Sequence, residues 1–324
     1  MLLKDRYIPK TFDESLVNLD IIKRLKNIKT PDNFVFYGIN GTGKYILSLM
    51  YLENLFGKTI YKKKTHSIYY NNNTKSFDIF ISNLHYEIVL YQNNFDKKEL
   101  ATLLNTLSNS LNIITNTSNI ILIKNSEYLP KETLYLIKKL CEKKTLHFIL
   151  LTSNLNYISR FVNSFIKIRV PLIKEQELLN LVKYIKKMDK IKIYVRDIKE
   201  IISINKSNIN RILLNLEIYK KTNRIKVENI IDKQIDTILD LVYEKKIDNI
   251  LKIRKLIYNL CSQHVDRYYI LKYCFREVSK TLKTNNKKIE LIAFLNETNT
   301  KLSNSFKNII HIEYFFVKLF DLIE

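Results

Sequence analysis

Three of the four glycines in this 324-residue chain lie within six positions, at Gly38, Gly41 and Gly43, and the fourth is Gly57. They belong to the run Asn33-Phe-Val-Phe-Tyr-Gly-Ile-Asn-Gly-Thr-Gly-Lys44-Tyr45. The apolar stretch at 34–37 reads as a buried strand, and residues 45–56 read as a helix. Between them stands Gly-x4-Gly-Lys, a strand–loop–helix phosphate cradle. Glycine lets backbone N–H groups turn inward, the helix N-terminus adds positive potential, and Lys44 reaches toward the β/γ phosphates. The nucleotide-binding set expected here is Gly38, Asn40, Gly41, Thr42, Gly43, Lys44 and Tyr45. After the lysine such loops carry Ser or Thr, whose hydroxyl ligates magnesium. Tyr45 cannot take that ligand position in the usual way, so the loop is expected to bind phosphate without placing a metal for chemistry.

A hydrolysing site also needs an acidic residue at the end of a second buried strand. The matching strand, 119–123, is followed by Lys124-Asn125-Ser126-Glu127. Lys124 has the wrong sign for a metal site, Asn125 is no base, and Glu127 reads as a solvated turn residue. A third strand, 147–152, ends in Ser153-Asn154, which could touch a γ-phosphate or simply close a turn. No catalytic residue and no metal ligand is assigned.

Lys+Arg is 54 and Asp+Glu is 32, a formal charge of 54 − 32 = +22. That implies attraction to polyanions, nucleic acid first among them, although a codon-biased composition rich in Lys, Asn, Ile and Tyr supplies much of the lysine. Such a composition suits a virus with a large AT-rich genome or an intracellular parasite. A hydrophobic content of 46% excludes a wholly disordered chain. Cys141, Cys261 and Cys274 are too few and too scattered for a zinc site or a disulfide framework, which fits a reducing compartment. The charged opening MLLKDRYIPK is no secretory leader. The uncharged stretch 101–123 is too rich in Asn, Ser and Thr for membrane insertion, and no membrane partner is expected.

Taken together these segments resemble the AAA+ clamp-loader family, in particular the small subunits of replication factor C. Arg6-Tyr-Ile-Pro-Lys-Thr-Phe-Asp13 is similar to the family's Lys-Tyr-Arg-Pro-Lys-Thr-Phe-Asp, which packs near the adenine and so puts Tyr7 near the base. Phe36-Tyr-Gly38 with Gly41-Thr-Gly-Lys44 resembles its P-loop. Leu129-Pro-Lys-Glu132 through Lys138-Lys139 resembles the helix after the second acidic motif, and Ile168-Arg-Val-Pro171 the strand that closes the first domain. Ser82-Asn-Leu-His85-Tyr-Glu87 and Ile310-His-Ile-Glu-Tyr-Phe-Phe-Val-Lys318 resemble the branch with a hydrolytically poor nucleotide site. The family's arginine finger falls at Ser164, with Arg160 near in sequence, and its sensor arginine falls at Asn210, beside Arg211.

The resemblance implies an α/β P-loop AAA+ domain, a parallel sheet flanked by helices, over 1–172. A small helical lid over 173–226 and an all-α collar over 227–324 follow it. It implies ATP or ADP as cofactor, with magnesium doubtful. The partners would be paralogous subunits in a hetero-pentamer, a sliding clamp of the proliferating cell nuclear antigen type, and primer–template DNA. Lys97, Lys98 and Lys131, at the openings of two inward-facing helices, would grip duplex phosphates without reading sequence. Lys62-Lys63-Lys64 reads as surface ahead of a hairpin. The expected location is the nucleus or a cytoplasmic viral replication site. The rival readings are a stand-alone AAA+ DNA-dependent ATPase, such as a helicase loader or initiator, and a DNA-binding scaffold with no nucleotide.

Overall fold

The computed structural model describes residues 2–57, 61–70, 73–82, 85–90, 97–108, 119–144, 146–205, 208–223, 230–246, 248–263, 265–282, 284–304 and 308–322. The chain forms two compact units, residues 1–226 and 227–324.

The first unit begins with α1 (Leu3–Arg6), α2 (Leu19–Lys26), β1 (Phe34–Tyr37) and α3 (Lys44–Phe56). The strands β2 (Tyr61–Tyr70), β3 (Asn73–Ser82) and β4 (His85–Val89) follow, then α4 (Lys97–Ser108), β5 (Asn119–Lys124) and α5 (Lys131–Glu142). Next come β6 (Leu146–Thr152), α6 (Leu155–Ile158) and β7 (Ile166–Arg169). The described strands make one sheet in the order β2-β3-β4-β5-β6-β1-β7. The neighbours from β4 to β7 pair in parallel, while β2 and β3 form an antiparallel hairpin on the β4 edge. Lys62, Lys63 and Lys64 lie within β2 itself rather than ahead of the hairpin, paired in register with Ile81, Phe80 and Ile79.

Parallel strands connected by helices are covered on both faces, so they need apolar residues at every position. The interiors of β1, β5 and β6 obey this, at Phe34–Phe36, Ile120–Ile123 and Phe148–Leu151. Side chains alternate across the sheet with period two. Phe34, Phe36, Ile120, Leu122, Ile149 and Leu151 pack toward α2 and α3. Val35, Ile121, Ile123, Phe148 and Leu150 pack toward α4 and α5. The edge strand β7 is mostly exposed. β1 hands over to α3 through the glycine loop.

The same unit continues with α7 (Glu175–Met188), α8 (Val195–Ile204) and α9 (Ile209–Thr222). Leu178, Val182 and Ile185 recur at helical spacing and are buried with Ile198, Ile201, Ile202, Ile212 and Leu216. The second unit holds α10 (Ile230–Tyr243), α11 (Asn249–Ser262), α12 (Arg267–Thr281), α13 (Asn285–Asn304) and α14 (Asn308–Leu322). Its core joins Ile235, Ile238, Leu239 and Val242 of α10 to Phe315, Phe316 and Leu319 of α14. Arg254 of α11 holds Glu313 of α14 through Nε at 2.9 Å and Nη2 at 3.0 Å. An α/β unit with a largely parallel sheet, followed by helices, is the fold class the resemblance implied. No described helix is long and apolar enough to cross a membrane.

Candidate nucleotide site

The glycine loop runs from the end of β1 to the start of α3, and its backbone explains its composition. Gly41 has φ of +88°, and a Cβ there would lie 2.3 Å from the Asn208 side chain. Gly43 caps α3 with φ of +95°. Both conformations are costly for any residue with a Cβ. Thr42 is buried and its hydroxyl donates to the Ile39 carbonyl at 2.9 Å. Lys44 opens α3 and folds back over the loop. Its ammonium donates to the Gly38 carbonyl at 2.6 Å, the Ile39 carbonyl at 3.0 Å and Asn40 Oδ1 at 3.3 Å. Burial pushes its pKa below the ordinary value, and the charge of Glu127 opposes that shift.

The 173–226 helices reach this loop directly. Asn208 caps α9, its Oδ1 accepting from the Arg211 N–H at 3.2 Å. Its amide donates to the Asn40 carbonyl at 3.4 Å, and the Ile209 N–H donates to the Gly41 carbonyl at 3.0 Å. From the other side Asn18, buried in a left-handed conformation at the start of α2, donates from Nδ2 to the Thr42 carbonyl at 3.0 Å. Its own N–H donates to Glu177 Oε2 of α7 at 2.8 Å. Asn18, Glu177 and Asn208 were not identified from the sequence. Asn18 and Asn208 contact the loop across 24 and 168 positions and Glu177 holds Asn18, and no local pattern marks them.

Beside the loop, three elements converge. The Tyr45 hydroxyl donates to Glu87 Oε2 of β4 at 2.9 Å. The Lys124 ammonium, at the end of β5, pairs with Glu87 Oε1 at 2.5 Å and lies 3.3 Å from the centre of the Tyr45 ring. The Glu87 side chain is 3% exposed and that of Lys124 is 23% exposed. Strand parity causes this meeting. Lys124 continues the Ile120–Leu122 face toward α3, and Glu87 stands opposite Leu122 in the register. If the glycine loop is a P-loop, Tyr45 and Lys124 stand where that loop would hold magnesium, and their side chains do not fit that ion. Both Glu87 oxygens are engaged. A dication about 4 Å from an ammonium, in an effective dielectric near 20, meets roughly 8 kcal/mol of repulsion. Among the described residues no group of three His, Cys, Asp or Glu side chains could hold a metal ion. Glu87 was legible only as part of a motif, because its partner is set by the register of β4 against β5.

Glu127 is half-buried and tied down by hydrogen bonds. Thr152 Oγ1 donates to its Oε2 at 3.0 Å, the Ser153 N–H donates to the same oxygen at 3.2 Å, and Ser153 Oγ donates to its Oε1 at 2.6 Å. Asn125 has φ of +56° and its amide holds the Leu90 carbonyl at 2.9 Å. Tyr7 packs edge-on against Tyr184 of α7, and its hydroxyl donates to Asp189 Oδ1 at 2.5 Å. Asp189 also binds Lys220 and Arg6. Lys220, Tyr7 and Arg6 hold its carboxyl down at about 2.

Lys98 and Lys131 are exposed in the first turns of α4 and α5. Lys97 begins α4, and its side chain lies outside the described residues. Pro130 is the N-cap of α5. Ser164, Arg160, Asn210 and Arg211 are exposed.

His85 is buried, with Nδ1 2.7 Å from the Ser82 hydroxyl. Burial, aided by the charge of Lys124, pushes its pKa from 6.5 to about 4. Above pH 6.5 the imidazole is neutral in both folded and unfolded chains. As pH falls from 6.5 toward 4, only the unfolded chain takes up the proton, so stability drops through that window, by about 3 kcal/mol at its lower end. Urea midpoints measured at pH 7 and 4.5 should therefore diverge in the wild type and converge in His85→Gln.

No family model matches the chain. It is 23% identical over 346 aligned positions to replication factor C subunit 5 of Saccharomyces cerevisiae, with 97% of both chains covered. Over 70 residues, 21% of this chain and 20% of the relative, it is 33% identical to replication factor C subunit 3 of Arabidopsis thaliana. The first likeness spans both units, and the α/β unit followed by helices agrees with it: the chain is distantly similar along its length to replication factor C subunit 5, and over a fifth of its length to subunit 3.

Proposed function

We propose that this chain is a clamp-loader subunit that holds ATP or ADP without hydrolysing it efficiently. It helps place a sliding clamp of the proliferating cell nuclear antigen type on primer–template DNA, in a nuclear replication role. The observation that carries this reading is a phosphate loop with its backbone and lysine in order, next to a metal corner filled by Tyr45, Glu87 and Lys124. The phosphate-binding half keeps its chemistry, and the half that would activate water lacks it.

In this reading residues 1–172 form the nucleotide domain, 173–226 the lid and 227–324 the collar that joins paralogous subunits into a hetero-pentamer. Gly38 to Tyr45 bind the nucleotide, with Tyr7 near its base. Lys97, Lys98 and Lys131 neutralise duplex phosphates from the openings of α4 and α5. Such contacts are sequence-independent and salt-sensitive.

The test is affinity purification from the native source, with mass spectrometry of what is recovered. Several P-loop paralogues and a ring-shaped clamp are expected, together with no ATP turnover by the isolated chain above a Lys44→Ala control. Recovery as a homo-oligomer with robust turnover would overturn the reading in favour of a stand-alone AAA+ ATPase acting on DNA.

A further inference from the structure

Three side chains fill the corner where a phosphate loop assembles its magnesium site, and they bring a cation of their own. The Lys124 ammonium lies between the Glu87 carboxylate, at 2.5 Å, and the face of the Tyr45 ring, 3.3 Å from its centre. A carboxylate and an aromatic face both attract an organic cation. A hard dication instead demands several oxygen ligands at short range. Here the Tyr45 hydroxyl donates to Glu87 Oε2 and Lys124 takes Oε1, so both carboxylate oxygens are committed to protein donors. Lys124 cannot simply turn aside. It is the last residue of a strand paired on both edges, and its face is set by the same register that buries Ile120 and Leu122.

We infer that Lys124 is the resident cation of this site, and that the chain binds nucleoside di- or triphosphate in the metal-free form. The inference rests on the reading of the glycine loop as a nucleotide site. Two ammonium groups, Lys44 from the loop and Lys124 from β5, then serve the phosphates where other P-loops use one lysine and one dication. Magnesium adds no affinity, and it competes by sequestering the free nucleotide in solution, ATP more strongly than ADP.

The test is calorimetric titration of the full chain with ADP and with ATP, in EDTA and in excess magnesium. Both nucleotides are expected to bind tighter in EDTA, ATP by the larger factor. A tenfold tightening of either nucleotide by magnesium overturns the inference. Binding of neither nucleotide in either buffer overturns the underlying nucleotide reading instead, so the two failures are distinguishable. Lys124→Met, checked for folding by circular dichroism, is expected to lose at least tenfold in affinity for ADP in EDTA, and wild-type affinity in that variant overturns the role of the ammonium. A third measurement uses manganese as the probe. Electron paramagnetic resonance should detect no nucleotide-dependent bound manganese in the wild type, and its detection there overturns the inference. The double variant Tyr45→Thr/Lys124→Asp should acquire that signal. If it does not fold, the wild-type titrations and spectra decide alone.

Discussion

Glu87→Leu is expected to destabilise the 1–226 unit by about 3 kcal/mol, one of the largest effects of any single substitution near the site. The variant strands the Lys124 ammonium, 23% exposed, beside an apolar side chain and takes the acceptor from the Tyr45 hydroxyl. Breaking a buried ion pair from one side costs more than the pair contributes, because the partner's desolvation is left uncompensated. For a unit of this size the shift corresponds to a fall in Tm of about 10 °C. Urea unfolding measures it, and a loss below about 1 kcal/mol would mean that Lys124 relaxes to solvent and that the pair does not organise the corner. Glu87→Leu/Lys124→Leu is expected to recover to within about 1 kcal/mol of the wild type. Two matched apolar residues leave no orphan charge, and the difference between single and double variants reports the coupling.

Lys44→Ala should cost roughly 100-fold in nucleotide affinity. A charge-assisted hydrogen bond contributes about 1.5–3 kcal/mol, and each 1.4 kcal/mol is tenfold in Kd. Lys44 is the loop's own cation, held on the Gly38 and Ile39 carbonyls. Its removal should leave the fold intact, since those carbonyls lie at a loop rather than in a dry core. Fluorescent-nucleotide titration with a parallel thermal melt separates the two effects. Retention of affinity within threefold, with an unchanged melt, would remove the loop from the nucleotide site.

The local elements were legible because their causes are local. The strand expected at 34–37 is β1, bounded identically, and the helix expected at 45–56 begins one residue earlier, at Lys44. Glycine clustering and an apolar run of four residues suffice there, since positive φ and double-sided burial each restrict residue type at one position. The second unit shows the limit. By spacing alone, Ile235, Ile238, Leu239, Leu241 and Val242 fall on more than one helix face. In α10, Ile235, Ile238, Leu239 and Val242 form the buried stripe, and Leu241 packs at its margin. Which apolar residues count as core depends on what packs against the helix, and periodicity alone does not contain that.

The site divides the same way. Tyr45 and Lys124 were readable as departures from a metal site, because each is defined by its distance from a glycine or from a strand end. Their partner Glu87 was not, and Glu127, read as a solvated turn, is bonded to the end of β6. Asn18, Glu177 and Asn208 around the loop are of the same kind. By itself the amino-acid sequence determined the phosphate loop, the strand and helix that hold it, the basic charge and the absence of the acidic pair. Tertiary structure alone decided what replaced that pair. Ion pairs and hydrogen bonds between residues far apart in the chain follow from strand register and helix docking, which are set by packing of the whole sheet.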